Sequence, residues 1–310
     1  MRLIFLGTPE FAVPTLEVVV RAGHQVLAVV TQPDRPRGRG QELAAPPVKQ
    51  AALRLALEVF QPERVRRPEA VEFLRARPCD AMVVVGYGQI IPQGVIDLAP
   101  LGIINVHASL LPKYRGAGPI QWAILNGETS TGVTTMRIDA GLDTGDMLLK
   151  AETAISPDET AAELGARLAA MGAELLVETL TGLENGSIVP EKQDSALATY
   201  APMLKKEDGR IDWTRPAQAI HNQVRALQPS PGTYTKFRGQ TVHVRRSRVA
   251  PSVTAGKTAG AVACVKPLVV ACGEGALELV ELQIEGRKRL PAADFANGQR
   301  LAENEILGDA

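Results

Sequence analysis

Short, unbroken apolar runs alternate along this chain with stretches whose apolar residues recur every three or four positions. Leu3–Leu6, Val26–Thr31, Ala81–Val85 and Ile103–Val106 are the unbroken runs. Each is too short for a helix and offers no polar face, which predicts parallel strands buried on both sides. Between them, Phe11–Arg21, Pro46–Leu57 and Pro68–Arg77 predict helices. In the second, Val48, Ala52, Leu55 and Val59 share one face behind an opening Pro-Pro. Strand and helix in alternation predict an α/β fold with a mostly parallel sheet, covered on both faces. Further on, Gly118–Asn126 predicts a helix, and Val133–Ile138 and Met147–Thr153 predict strands. Glu159–Leu180 predicts a long helix with Leu164, Leu168, Met171 and Leu175 on its buried stripe.

The pattern then changes. Residues 181–206 are polar and carry Gly186, Pro190 and Pro202, the composition of a connection. Ala217–Leu227 predicts one helix. Thr233–Phe237, Val242–Arg248, Ala261–Val265, Leu268–Ala271 and Leu277–Ile284 predict short strands between turns. Val242 and Val244 alternate with His243 and Arg245, as in a half-exposed strand. A small β-barrel with one helix is the expectation. The predicted division is a first domain over 1–189, a linker over 190–206 and a second domain over 207–310.

Composition sharpens this picture. At 310 residues and 45% apolar, the chain is long enough for two domains with cores of their own. The start, MRLIFLGTPEF, is too short an apolar stretch for a signal peptide and is broken by Pro9–Glu10. No apolar run nears the ~18 residues of a membrane span. A cytoplasmic protein that makes no membrane contact is expected. Cys79, Cys264 and Cys272 are odd in number and lack metal-ligand spacing, which predicts reduced thiols and no metal. Net charge is zero, but unevenly spread. Residues 1–204 hold 18 basic and 23 acidic side chains, net −5, and residues 205–310 hold 16 and 11, net +5. Such asymmetry suits a polyanion-facing second domain, or an ordinary solvated surface.

Several motifs carry candidate chemistry. Gly7-Thr8-Pro9-Glu10-Phe11 follows the first predicted strand, where a phosphate loop would lie. It contains neither G-x-G-x-x-G nor G-x-x-x-x-G-K-[ST], so no dinucleotide or ATP site is expected. The loop still belongs to the strand ends where ligands of open α/β sheets gather. Asn105 and His107 follow another strand, and an i, i+2 pair on extended chain points to one side. An amide donor beside an imidazole could polarise a carbonyl and move a proton near neutral pH. A buried structural histidine is the plainer alternative. The stretch from Ile138 to Asp146 holds Asp139, Asp143 and Asp146, any of which could orient an imidazole, or which could form an Asx-rich turn. Spacing does not choose among them. In Gln32–Gln41, Arg35, Arg37 and Arg39 alternate with Pro and Gly, which predicts an exposed loop without regular structure that could contact a phosphate backbone.

Taken together these stretches resemble the folate-dependent formyltransferase family. The resemblance is carried by FLGTPEFAVPTLE (5–17), TQPDRPRGRGQ (31–41), VVGYGQIIP (84–92), NVHASLLPKYRGAGPIQWAILNGE (105–128), TGVTTMRIDAGLDTGDML (131–148) and YAPMLKKEDGRIDW (200–213). The NVHxSLLP and LDTGD segments are specific to the family as a whole. The first two segments and the long C-terminal part resemble its tRNA-acting branch.

The resemblance implies a Rossmann-like N-terminal formyltransferase domain and an OB-like, tRNA-binding C-terminal barrel. It implies a formyl group taken from 10-formyltetrahydrofolate, without a metal, and given to the α-amino group of methionyl initiator tRNA by a monomer. It maps a catalytic trio onto Asn105, His107 and Asp143. It maps folate contacts onto Ser109, Leu110, Leu111 and Pro112, and onto Gly86, Tyr87, Gln89, Ile90 and Ile91. It maps tRNA contacts onto Arg35, Arg37 and Arg39, with Lys205 and Lys206 in the later segment, and makes Lys113–Gly116 the acceptor's route. The implied alternative is a relative that formylates an aminosugar nucleotide, which would have no use for the arginine loop. An inactive tRNA-binding module is disfavoured by the intact motifs, and a folate-binding dehydrogenase fragment by the missing dinucleotide loop.

Overall fold

A computed structural model describes residues 1–37, 42–251 and 257–308. In chain order its first elements are β1 (Arg2–Gly7), α1 (Val13–Arg21), β2 (Gln25–Val30), β3 (Arg35–Arg37), β4 (Glu42–Ala44), α2 (Pro47–Arg54), β5 (Val59–Phe60), α3 (Pro68–Arg75), β6 (Ala81–Val85) and α4 (Gln93–Ile96). They continue with β7 (Ile103–His107), α5 (Pro119–Leu125), β8 (Ser130–Arg137), β9 (Met147–Ala154), α6 (Ala161–Glu184) and α7 (Ala217–Ala226). The last are β10 (Thr233–Phe237), β11 (Gln240–Ala250), β12 (Val262–Val265), β13 (Leu268–Ala271), β14 (Ala276–Ile284), β15 (Leu290–Pro291) and α8 (Ala292–Gln299).

Two compact units result. The first comprises Met1–Gly116, Thr131–Thr153 and Gly165–Ala201. Its sheet runs β5-β2-β1-β6-β7-β8-β9. The pairs from β5 through β7 are parallel, and β8 joins β7 antiparallel. The unbroken apolar runs became the inner strands: every residue of β6 and β7 is buried. Ile4, Leu6, Val30, Met82, Val84 and Ile103 form the core on one side of this sheet. The chain leaves β1 toward β2 and β5, then crosses back to β6 on the other side. Such a switch is where open α/β sheets form their ligand crevice, which here falls at the carboxyl ends of β1 and β6, beside the end of β7.

The second unit comprises Ala117–Ser130, Ala154–Leu164 and Pro202–Ala310. Its antiparallel sheet runs β10-β11-β14-β13-β12, with β15 on β14. Trp213, Ile220, Val224, Phe237, Val244 and Leu282 are in its core. Helix α7 lies inside, and its buried polar residues find partners within the unit: Arg225 donates to Asn222 and to the Ser156 and Glu159 carbonyls. The sequence expected one helix here. The second, α8, is short and interrupted by Gly298, but buries Ala292, Phe295 and Ala296.

The arginine stretch differs from its expectation. Arg35–Arg37 is a strand, paired antiparallel with Glu42–Ala44. Pro36 keeps its predecessor out of helical backbone, and Arg-Pro-Arg thus lies extended and finds a partner. Arg39 lies outside the described residues.

Candidate active site

His107 closes β7 and is buried. Its Nε2 lies 2.9 Å from the carbonyl oxygen of Tyr114. A carbonyl can only accept, so Nε2 carries the hydrogen, and in the neutral ring Nδ1 has a free lone pair. Nδ1 lies 3.7 Å from Asp143 Oδ2. If Nδ1 gains a proton, the imidazolium has Tyr114 O on one side and a carboxylate on the other.

The neighbouring loop selects among the three carboxylates that spacing left open. Asp139 is exposed and turned inward on its own loop, accepting from the Gly141 N–H and the Thr144 hydroxyl. Asp143 is the one that faces His107. Its backbone is left-handed, φ 52°, and its Oδ2 accepts the Gly116 N–H at 2.8 Å. Asn105, two residues before His107, is 8% exposed. Among the described residues its side chain makes no hydrogen bond, which leaves its amide available to a ligand.

The Ser109–Pro112 turn is pinned from inside. The Ser109 hydroxyl donates to Lys113 O at 2.6 Å. Thr134 donates to Ser109 O and accepts the Leu111 N–H. Ser109 and Leu111 are buried, while Leu110 and Pro112 are half-buried. The loop after β6 is held as firmly. Thr8 Oγ1 and Gln32 Nε2 both donate to Tyr87 O, at 3.1 Å each. These two residues sit just after β1 and β2, where the crevice rule alone points to them. Gly86 turns with φ 56°, and a Cβ there would lie 2.9 Å from the Pro9 ring.

Within this loop the predicted residues divide. Tyr87 is buried in the core among Leu6, Val30 and Val84, and burial pushes its phenol up to about 12. Gln89 spends its amide on the Val65 N–H and the Glu63 carbonyl. Ile91 is packed against the core, whereas Ile90 is 92% exposed. Lys113–Gly116 is no open route. Tyr114 and Arg115 are buried, and Arg115 donates through Nε and Nη2 to Gln193 Oε1. Gln193 did not stand out in the sequence as a site residue, and Arg115 did so only as part of the Lys113–Gly116 stretch.

Arg35 is exposed, with its guanidinium 3.6 Å from Glu63. Nearby, hydrogen bonds from Gln61 and Lys49 hold the Asp34 carboxyl below its ordinary range. Lys205 and Lys206 are exposed on the second unit. That unit also carries a recess lined by His221, Arg225, Arg245, Arg246 and Arg248, with Asp158 among them. Burial pulls the His221 imidazole down, despite the Pro157 carbonyl and Asp158 beside it. Among the described residues no three of His, Cys, Asp and Glu converge as a metal ion would require. No helix among them is long and apolar enough to cross a membrane.

Known proteins resemble the chain throughout. A family model described as "Formyl transferase" matches residues 1–180, and one described as "Formyl transferase, C-terminal domain" matches 203–300. A methionyl-tRNA formyltransferase of Solibacter usitatus is 75% identical over 311 residues, covering 100% of this chain and 99% of that one. One of Koribacter versatilis is 57% identical, covering 99% of each. Among solved structures, an N-formyltransferase of Helicobacter canadensis, crystallised with folinic acid and dTDP-3-aminofucose, superposes with a TM-score of 0.67 at 19% identity. It covers 89% of this chain and 98% of its own. HypX of Aquifex aeolicus with tetrahydrofolic acid gives 0.66 at 18%, covering 98% of this chain, which spans about half (48%) of HypX. At such identity these two speak for the fold.

Proposed function

We infer the activity from one premise: the chain belongs to the formyl transferase family. It is an enzyme that transfers a formyl group to the α-amino group of methionyl initiator tRNA, the first step that marks this tRNA for translation initiation. The donor is 10-formyltetrahydrofolate, which supplies a formyl carbon already activated on nitrogen. The enzyme works as a cytoplasmic monomer, with a catalytic domain over 1–189, a linker over 190–206 and a tRNA-binding domain over 207–310.

The crevice suits such a donor. Asn105 has an amide uncommitted among the described residues, and the exposed Ile90 offers apolar surface to a pterin beside the fixed Gly86–Ile91 loop. Ser109–Pro112 shapes the adjoining wall through its backbone.

The mechanism follows from the hydrogen-bond sense at His107, the observation that carries this reading. The amine attacks the formyl carbon and must lose a proton. His107 takes it at Nδ1, because Nε2–H is already given to Tyr114 O. Asp143 steadies the imidazolium that results. Asn105 donates to the formyl oxygen as negative charge gathers on it. As the new C–N bond forms and the old one breaks, His107 returns the proton to the departing donor nitrogen.

The assay that tests the acceptor offers the enzyme 10-formyltetrahydrofolate with methionyl initiator tRNA, and in a parallel reaction with an aminosugar nucleotide. Formylmethionyl-tRNA is the expected product. Transfer only to the sugar would replace the acceptor and leave the transferase reading standing.

A further inference from the structure

We propose that Gln193, held by Arg115, is a positioning residue that sets where Asp143 stands relative to His107, so that residues 191–201 of the connecting segment are also part of the active site. The proposal rests on the reading of Asp143 given above.

Asp143 has left-handed backbone, φ 52°, which aspartate adopts more readily than most side chains but less readily than glycine. Such a residue keeps its place only where its surroundings over-determine it. Gln193 supplies that constraint. Its amide nitrogen donates to Asp143 O and to Gly145 O, at 2.8 Å each, so both hydrogens are used on the loop that carries the carboxylate. Its amide oxygen accepts the Arg115 fork, at 3.0 Å from Nε and 2.8 Å from Nη2. Arg115 is 3% exposed, and no carboxylate lies within ion-pairing distance of it among the described residues. A buried guanidinium whose side chain is spent on a neutral amide fixes which way that amide points. The oxygen must face Arg115, and the two N–H groups must face the loop.

The frame is closed on both sides. The residues flanking Arg115 hold the two reacting groups themselves: Tyr114 O accepts from His107, and Gly116 N–H donates to Asp143 Oδ2. Thr199 and Ala201 clamp this same stretch. Tyr114 N–H donates to Thr199 Oγ1, Arg115 N–H to Thr199 O, and Ala201 N–H to Arg115 O. Two residues before Gln193, Glu191 exchanges backbone hydrogen bonds with Met147, just past the aspartate loop. A Cβ on Gly116 would lie 2.8 Å from Ala201 O, so the two segments meet backbone to backbone.

The test uses two variants of the full-length enzyme. Gln193→Glu keeps an acceptor for Arg115 but turns a second oxygen toward two carbonyls, and Gln193→Met removes the amide at similar length. Both are expected to lower kcat roughly 10- to 100-fold, the scale on which a small misplacement of a reacting group is felt. KM for tRNA and for the folate donor should stay within about threefold, and circular dichroism should match the parent. The decisive arm repeats Gln193→Glu in an Asp143→Asn background. If Gln193 acts through Asp143, the second change costs less than about twofold there. A full, independent loss in that background overturns the proposal. So does a wild-type kcat in both single variants while Asp143→Asn is inactive. A wild-type rate for Asp143→Asn itself would instead overturn the reading of Asp143. Should Gln193→Glu not fold, Gln193→Met carries the same comparison.

Discussion

His107 has one nitrogen committed and one left over, and this division follows from the only thing a carbonyl can do. Tyr114 O accepts from Nε2, so the proton transfer proposed above would use Nδ1, on the Asp143 side. Asn105 has the complementary quality: a buried amide that, among the described residues, is spent on no partner. Removing either group removes an interaction made mainly as charge develops, which lowers kcat more than it raises KM. His107→Ala and Asn105→Ala are each expected to lose roughly 10²- to 10³-fold in formylation rate, on the scale of one lost general base or oxyanion donor. Steady-state rates with saturating donor check this, alongside a thermal melt to show that both variants fold. Rates within threefold of the parent would dismiss the trio.

At the scale of elements, the site depends on how closely α6 approaches β7, the strand that ends in His107. Gly172 in α6 is where they meet. A Cβ there would lie 2.7 Å from Val106 Cγ1 and 3.2 Å from Val133 Cγ1. Val106 stands between Asn105 and His107, so pushing it moves the strand that presents both. Gly172→Ala is expected to destabilise by roughly 1–3 kcal/mol through overpacking, despite alanine's better helix propensity. It should also lower kcat. Thermal unfolding reads the first effect, and an unchanged midpoint would show that α6 has room to spare. The same scale explains what the sequence revealed. β6 and β7 were legible because burial on both faces writes an unbroken apolar run. β5 has only two residues, and the β3–β4 pair is held by a partner and not by pattern, so neither left a periodic trace. Asn105 and His107 could be picked out because they are adjacent in sequence and in space. Spacing could not prefer Asp143 to Asp139, and only the family resemblance did, since what sets Asp143 toward His107 is one left-handed residue and a Gly116 N–H from elsewhere in the chain. Gln193 left no signal at all. It reaches Asp143 across 50 residues, from a stretch whose polar composition reads as a connection.

For the molecule as a whole, zero net charge hides a division that matters for a polyanionic acceptor. The part from residue 205 onward carries net +5, and four of its arginines, with His221, line a recess that Asp158 also borders. The first part is net −5, yet it holds Arg35, Arg37 and Arg39 within five residues. Binding a tRNA through such groups releases counterions, so affinity falls as a power of salt concentration, with a slope set by the number of phosphates met. A folate donor bound as proposed would meet far fewer charges than a tRNA, and its binding should barely respond. Raising salt is therefore expected to raise KM for methionyl-tRNA steeply while KM for 10-formyltetrahydrofolate stays within about twofold. Replacing Arg35, Arg37 and Arg39 together by Ala should weaken tRNA use at low salt. It should also flatten the logarithmic slope by about one for each arginine that meets a phosphate, up to roughly three. Initial rates across a salt series, for parent and triple variant, measure both quantities at once. If the triple variant is weaker but its slope is unchanged, the loop acts on the acceptor by shape. If KM for tRNA is also unchanged, the arginines have no part in holding it, and the recess on the second unit becomes the surface to mutate next.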